Sequence, residues 1–380
     1  MNRSEPLALY IHWPFCVSKC PYCDFNSHVR ETVDDEAWQR ALLSDLAYEA
    51  QQTQGGVLGS IFFGGGTPSL MPPSIAGALI EAAGRHWERT ADCEITLEAN
   101  PSSVEASRFA DLARAGVNRI SIGLQSLDDR ALAFLGRAHG VDEALAAIDV
   151  AQQQFGRVSV DLIYARPGQS QAEWEGELNR ALALGTSHLS LYQLTIEPGT
   201  RFETLVRTGE FAPLGTDEAA EMFELTRRIT ADHGIPAYEV SNHARSGQES
   251  RHNLTYWRYG SYAGVGPGAH GRRGGMATMR HKKPENYLSA VARNGHGCVA
   301  ETPLTPAEQA REALVMGLRL AEGLDLERIK TATGIDTLIN PDQAVMLVRE
   351  GLITQSGHHI TVTPAGMLLL DAILVALVAV

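Results

Sequence analysis

Short apolar runs alternate with longer amphipathic stretches through the first half of the chain. The runs are LALYIHW (7–13), SIFFGGG (60–66), EITLEAN (94–100), RISIGLQS (119–126), VSVDLIYA (158–165) and HLSLYQLTIEP (188–198). They are rich in Ile, Val, Leu, Phe and Tyr, residues that favour strands. Between them, DEAWQRALLSDLAYEA (35–50), SIAGALIEAAGRHW (74–87) and VDEALAAIDVAQQQ (141–154) carry apolar residues at helical spacing. Strand then helix, repeated about six times, predicts parallel strands joined by right-handed crossovers. This is fewer than the eight units of a closed barrel. The pattern therefore predicts an α/β fold, a partial (β/α)6 barrel, with an open sheet as the alternative.

Polar residues stand at the ends of these runs: Gly65, Gly66 and Thr67 after the second, Glu98 and Asn100 at the third, Gln125 at the fourth. Strand C-termini line the active face of such folds. After residue 240 the texture changes to a stretch rich in Gly, His, Asn and aromatics, ending near residue 302. From Pro303 helical patterns return, followed by the hairpin-like EGLITQSGHHITVTPAG. The expected organisation is a barrel over 1–240, a connecting region over 241–302 and a small winged-helix-like domain over 303–380.

Charge narrows the function. The net charge is −13, and residues 303–380 carry five Lys and Arg against nine Asp and Glu. Phosphate binding runs on cations, so no nucleic-acid partner is expected and the last domain reads as structural or partner-docking. The first residues lack the apolar core of a signal peptide, and no apolar run reaches the roughly 18 residues of a membrane span. A cytoplasmic protein is expected. The tail LLLDAILVALVAV reads as a terminal helix packed on its own domain. A peripheral membrane contact is the minor alternative, and a homodimer is left open.

Three of the five cysteines, Cys16, Cys20 and Cys23, fall within eight residues. An odd count clustered in this way suits a metal site better than a disulfide framework. Two metals fit thiolates: structural zinc, with His28 as a fourth ligand, and an iron–sulfur cluster. A cubane held by three thiolates keeps one iron open to a small molecule.

The C-x3-C-x2-C spacing, with Tyr22 before the last cysteine and GGGTP at 64–68, resembles the radical S-adenosylmethionine superfamily. YIHWPFC, GGGTPS, EANP, SIGLQS, LGRAH, VDLIYARPGQ and HNLTYW together resemble the oxygen-independent coproporphyrinogen III oxidase family, and within it the branch of heme chaperones. The resemblance implies a [4Fe-4S] cluster on Cys16, Cys20 and Cys23, with S-adenosylmethionine on its open iron. Tyr10 and Tyr22 would flank cluster and adenosyl group, and Gly65, Gly66 and Thr67 would line the cofactor site. Glu98, Gln125, Arg137 and Asp161 would contact that cofactor, or a second copy of it as in the oxidases. Arg166 in ARP departs from the Leu of the usual GLP.

Two features separate the branches. The oxidases carry a further cysteine where this chain has Phe25, and a longer segment before the first strand, which here starts near Leu7. Both favour a heme chaperone that passes heme to apoproteins such as respiratory enzymes. The alternatives are a coproporphyrinogen III dehydrogenase or a radical enzyme on another substrate. His252 of HNLTYW is the leading heme ligand, with Tyr256 and Trp257 beside the porphyrin. The competing reading makes His252 a hydrogen-bonded loop residue and the two aromatics core. His243, His270, His281 and Cys298 are weaker candidates, and Cys93 reads as a buried small residue. GVGPGAHG (264–271) lacks the Lys of a phosphate loop and reads as a tight turn under the cofactor site.

Overall fold

The computed structural model describes residues 6–380. Among them, six strands run parallel in chain order: β1 (Leu7–Trp13), β2 (Val57–Gly65), β3 (Glu88–Ala99), β4 (Arg119–Gln125), β5 (Arg157–Tyr164) and β6 (His188–Gln193). Helices α1 (Asp35–Gln52), α2 (Pro73–His86), α3 (Val141–Gln154) and α4 (Gln171–Leu182) cross over between them. The expected partial barrel is present, and the sheet does not close on itself.

Period two divides each strand. Leu7, Leu9 and Ile11 of β1 point outward into the core with Trp38, Leu42 and Leu46 of α1. Their neighbour Tyr10 faces the lumen and lines its cavity. Ile75, Leu79 and Ile80 of α2 and Ala144 and Ile148 of α3 join the same core. Each large side chain so buried contributes roughly 1.5–3 kcal/mol.

Residues 241–302, expected to be a connector, supply strands to the same sheet. The strand β7 (Asn242–Ala244) runs antiparallel to β6, and β8 (Tyr262–Val265) lies parallel against the free edge of β1. Antiparallel strands β9 (His270–Arg273), β10 (Met276–Arg280) and β11 (Cys298–Pro303) continue outward. A buried ion network fastens this extension to α1. Arg280 reaches Asp45 and Glu49, Arg273 reaches Glu49, and the Tyr287 hydroxyl donates to Asp45 at 2.9 Å. HNLTYW forms a short helix, α5 (Arg251–Trp257), instead of the loop of the competing reading.

The apolar pattern of 188–198 outruns its strand, because β6 ends at Gln193. Leu194 and Ile196 instead pack on a separate cluster with Leu135, Ile163, Phe202 and Tyr22.

The last domain has winged-helix order. Helix α6 (Pro306–Gly317) leads to β12 (Leu324–Asp325), then α7 (Leu326–Thr333) and α8 (Pro341–Arg349), then the hairpin β13 (Ile353–Ser356) and β14 (His359–Val362). The terminal helix α9 (Leu370–Leu377) buries Ile373 and Leu377 in this domain's core, as expected of the tail, and leaves Val375 exposed. No helix among the described residues is long and apolar enough to cross a membrane.

Candidate functional site

The three cysteines sit on the loop after β1, and that loop is tied down on three sides. Below it, the Gly66 N–H donates to Trp13 O and the Thr67 N–H to Phe15 O, both at 2.8 Å. A Cβ on Gly66 would stand 2.7 Å from Phe15 O, a backbone atom, so this close approach requires glycine. Beside the loop, Pro21 packs on Gly136, and the Pro21 carbonyl accepts from the Phe202 N–H at 2.9 Å. Above it, the Tyr22 ring meets Phe202 at 6.2 Å between centroids.

Each sulfur has a polar neighbour. Thr67 Oγ1 donates to Cys16 Sγ at 3.4 Å, Arg137 Nη1 donates to Cys20 Sγ at 3.5 Å, and Ser27 Oγ lies 4.0 Å from Cys23 Sγ. Such donors hold thiolate ligands and tune a cluster's potential. Burial raises the thiols of Cys16 and Cys23, and neighbouring cysteine sulfurs add to the rise. Among the described residues no three His, Cys, Asp or Glu gather closely enough for a single ion. His28 is engaged elsewhere, with Nε2 at 3.3 Å from Asn26 Oδ1. The donor set is thus three thiols with no fourth protein ligand in place, which fits a cluster with one open iron better than closed zinc.

Arg137 links the loop to the strand ends. Beyond Cys20 it reaches the Tyr22 hydroxyl at 3.5 Å, the Gly123 carbonyl at 2.9 Å and Asn100 Oδ1. Gln125 ends β4 at φ 67, a left-handed conformation rare for residues with a Cβ, and its side chain lies over Gly123. Glu98 accepts from the Gly65 N–H at 3.2 Å. Burial pushes the Glu98 carboxyl up to about 8, and the Asp161 charge adds to this. Burial likewise raises Asp161, against hydroxyl donors that include Ser121 Oγ at 3.0 Å.

Two cavities meet here. The smaller, about 280 Å³, lies between the cysteine loop and the GVGPGAHG turn, with Phe25, His12, Gly65 and His270 in its wall. Asn26 Nδ2 donates to Pro267 O at 2.9 Å and fixes that turn against the loop. The larger, about 640 Å³, fills the barrel lumen, within the size range of ligand sites. Tyr10 and Glu98 line both. The sequence-derived residues therefore divide. Tyr10, Tyr22, Gly65, Gly66, Thr67, Glu98, Gln125 and Arg137 gather around the loop and the strand ends. Asp161 and His252 belong to the lumen.

His252 lies low in that lumen. Its Nδ1 is 3.2 Å from Ser60 Oγ, and its ring stacks on Phe62 at 4.8 Å. The His252 N–H and Ser250 Oγ both donate to Glu94 Oε1 at 3.3 Å. Glu94 in turn pairs with Arg157 at 2.6 Å. Glu94 and Glu98 are four residues apart on one strand, about 13 Å, so the His252 backbone sits well below the Gly65–Glu98 contact, while its ring reaches up toward Tyr10, 6.2 Å away between centroids. Burial holds the imidazole at about 4, hence neutral at physiological pH. Its Nε2 is the ring nitrogen without a protein partner among the described residues. Of the weaker candidates, His243 is buried against Thr230, Cys298 donates to the Ala300 carbonyl, and Cys93 lies half-buried within β3.

Sequence reasoning missed Ser60, Glu94, Arg119, His188 and Ser190, although all belong to the lumen wall or support it. It also left Arg166 unexplained. That side chain is buried, pairs with Glu177 at 2.6 Å and donates to the Ile163 carbonyl at 2.7 Å. The departure is thus internally compensated by a buried ion pair.

The sequence matches the radical SAM superfamily over residues 10–181 and the HemN C-terminal domain over residues 304–369. It is 37% identical to the heme chaperone HemW of Escherichia coli, over 98% of either chain. It is 39% identical to the mitochondrial radical S-adenosyl methionine domain-containing protein 1 of Bos taurus, over 99% of this chain and 88% of that one. The structure of the coproporphyrinogen III oxidase HemN from Escherichia coli superposes with a TM-score of 0.82 at 22% identity, over 98% of this chain and 90% of that one, and so shares its fold. With its cysteine loop, glycine turn and C-terminal domain in this arrangement, the chain belongs to the radical SAM superfamily and, within it, to the HemW family.

Proposed function

We propose that this protein is a heme chaperone, which binds heme in the barrel lumen and passes it to heme-requiring apoproteins, respiratory enzymes among them. The observation that carries this reading is a neutral imidazole in the wall of a 640 Å³ lumen, among aromatic rings, in a chain of the HemW family. Neutral histidine is the usual axial ligand of heme iron. Ser60 orients the ring through Nδ1, so that Nε2 is the nitrogen for iron.

Cys16, Cys20 and Cys23 would hold a [4Fe-4S] cluster, and S-adenosylmethionine would occupy the smaller cavity beside it. When bound, the cluster supplies an electron and an open iron site. Gly65 and Gly66 let the backbone come close to the cofactor, and Glu98 and Tyr10 face it from the shared wall. Arg137 neutralises negative charge near Cys20. Gln125 is the strained residue at this face, and Asp161 faces the lumen. We place the protein in the cytoplasm. The exposed Leu369 and Val375 are the surface through which it would touch a membrane peripherally or a second copy of itself.

The test is anaerobic reconstitution followed by absorbance spectra with and without heme. Wild type should take up iron and sulfide through the three cysteines and bind one heme. His252→Ala should keep the cluster, shift the heme absorption band and weaken binding at least about tenfold, or about 1.4 kcal/mol. Unchanged heme binding in that variant would remove His252 as ligand.

A further inference from the structure

We propose that the lumen floor carries a carboxylate-recognition site, Arg319 with Trp257, which seats the acid side chains of the porphyrin whose iron faces His252. This rests on the heme reading and specifies which end of the ligand goes down.

Arg319 follows α6 in the C-terminal domain, and its guanidinium lies over the Trp257 ring, 4.8 Å from the centroid. Among the described residues it has no carboxylate within ion-pair distance. Its Nε is buried without a hydrogen-bond partner, and so is Trp257 Nε1. An orphaned buried donor costs roughly 1–3 kcal/mol, and such groups are rare. Six described residues carry orphaned atoms of this kind, and three of them, Asn242, Trp257 and Arg319, line this one cavity. Two of the three offer N–H donors, and one of those is cationic. A carboxylate answers both through a charge-assisted bond. Asn242 Oδ1 is an acceptor and suits a ligand N–H or a water.

Arg119, the other guanidinium in the wall, lies 3.9 Å from Glu94, whereas Arg319 has no such acidic partner among the described residues. Glu98 and Asp161 lie close to one another in the upper wall, where Glu98 holds its proton and no cation is offered to a carboxylate. Glu239 already accepts from the Ser241 N–H at 2.9 Å and from Asn242 Nδ2 at 2.6 Å. Between the two ends runs an aromatic wall: Tyr10 on Phe62 at 6.3 Å, Phe62 on His252 at 4.8 Å, and Tyr256 on Trp257 at 4.8 Å. A flat apolar ring with acidic arms on one edge matches that order of groups.

The experiment titrates the cluster-loaded protein with ferric heme and with heme dimethyl ester, whose arms carry no charge. Wild type should bind the ester about tenfold more weakly than heme. Arg319→Gln should weaken heme by a similar factor, leave the ester unchanged and keep the wild-type absorption band, since His252 is untouched. Arg319→Lys should regain part of the discrimination. Trp257→Phe keeps an aromatic ring under Arg319 and removes the N–H, and should cost heme a few-fold more than it costs the ester. Full discrimination retained in both Arg319→Gln and Trp257→Phe overturns the site. Failure of the heme reading looks different, because wild type would then show no His252-dependent band with either ligand.

Discussion

At the scale of single residues the strongest constraints are steric and electrostatic. The Cβ of Gly66→Ala would press on Phe15 O and push the stem of the cysteine loop outward. We expect a loss of roughly 1–3 kcal/mol and a lower iron and sulfide content after reconstitution, measured by chemical analysis. Glu98 gives a pH signature. Its folded-state carboxyl is raised to about 8, so the folded protein keeps a proton that the unfolded chain releases in the ordinary carboxylate range. Its stabilising contribution is complete below that range and is lost as pH rises toward 8. The ligand-free melting temperature should therefore fall between roughly pH 5 and pH 8, and Glu98→Gln should reduce that fall by a few degrees. Both residues were legible in the sequence, because GGGTP and EANP name them directly. The chemistry behind Gly66 was only half legible. Its nearest neighbour is the protein's own Phe15 carbonyl, a contact that only the folded chain reveals.

At the scale of elements, the six parallel strands and their helices could be read from periodicity because each strand is long and apolar on its outer face. The five strands between 242 and 303 could not. They are three to six residues long and broken by glycine, and what holds several of them is a buried ion network. Arg280→Met should leave Asp45 buried without a counter-charge and Glu49 with Arg273 alone, and cost on the order of 3 kcal/mol, seen as a lower denaturation midpoint. The lumen was hidden for a related reason. Ser60, Glu94, Thr96, Arg119, Ser121, Ser159, His188 and Ser190 are buried polar residues inside otherwise apolar strands. In β3 to β6 they recur at alternate positions, 94 and 96, 119 and 121, 188 and 190, with Ser159 followed by the half-buried Asp161. That period-two polar face was present in the sequence and marks a strand that lines a cavity.

At the scale of the molecule, two chambers share one wall. Tyr10 and Glu98 line both, so a ligand in one chamber alters the groups that face the other. Saturating S-adenosylmethionine should change the heme Kd by some factor, and saturating heme should change the S-adenosylmethionine Kd by the same factor, as linkage demands. Paired titrations check the equality. Tyr10→Leu should shrink the factor toward one.

The floor of the lumen comes from the far end of the chain. Met316 and Arg319 complete a cavity whose upper wall begins at Tyr10. In synthesis, which folds N-terminal parts first, the three cysteines and the glycine turn emerge by the end of β2, and their contacts with Gly136 and Phe202 follow within the barrel. The lumen has no bottom until the final domain arrives. The cysteines proposed to hold the cluster are therefore available early in the life of the chain, while the chamber proposed for heme is the last thing made, and a chain truncated before the final domain would carry the first without the second.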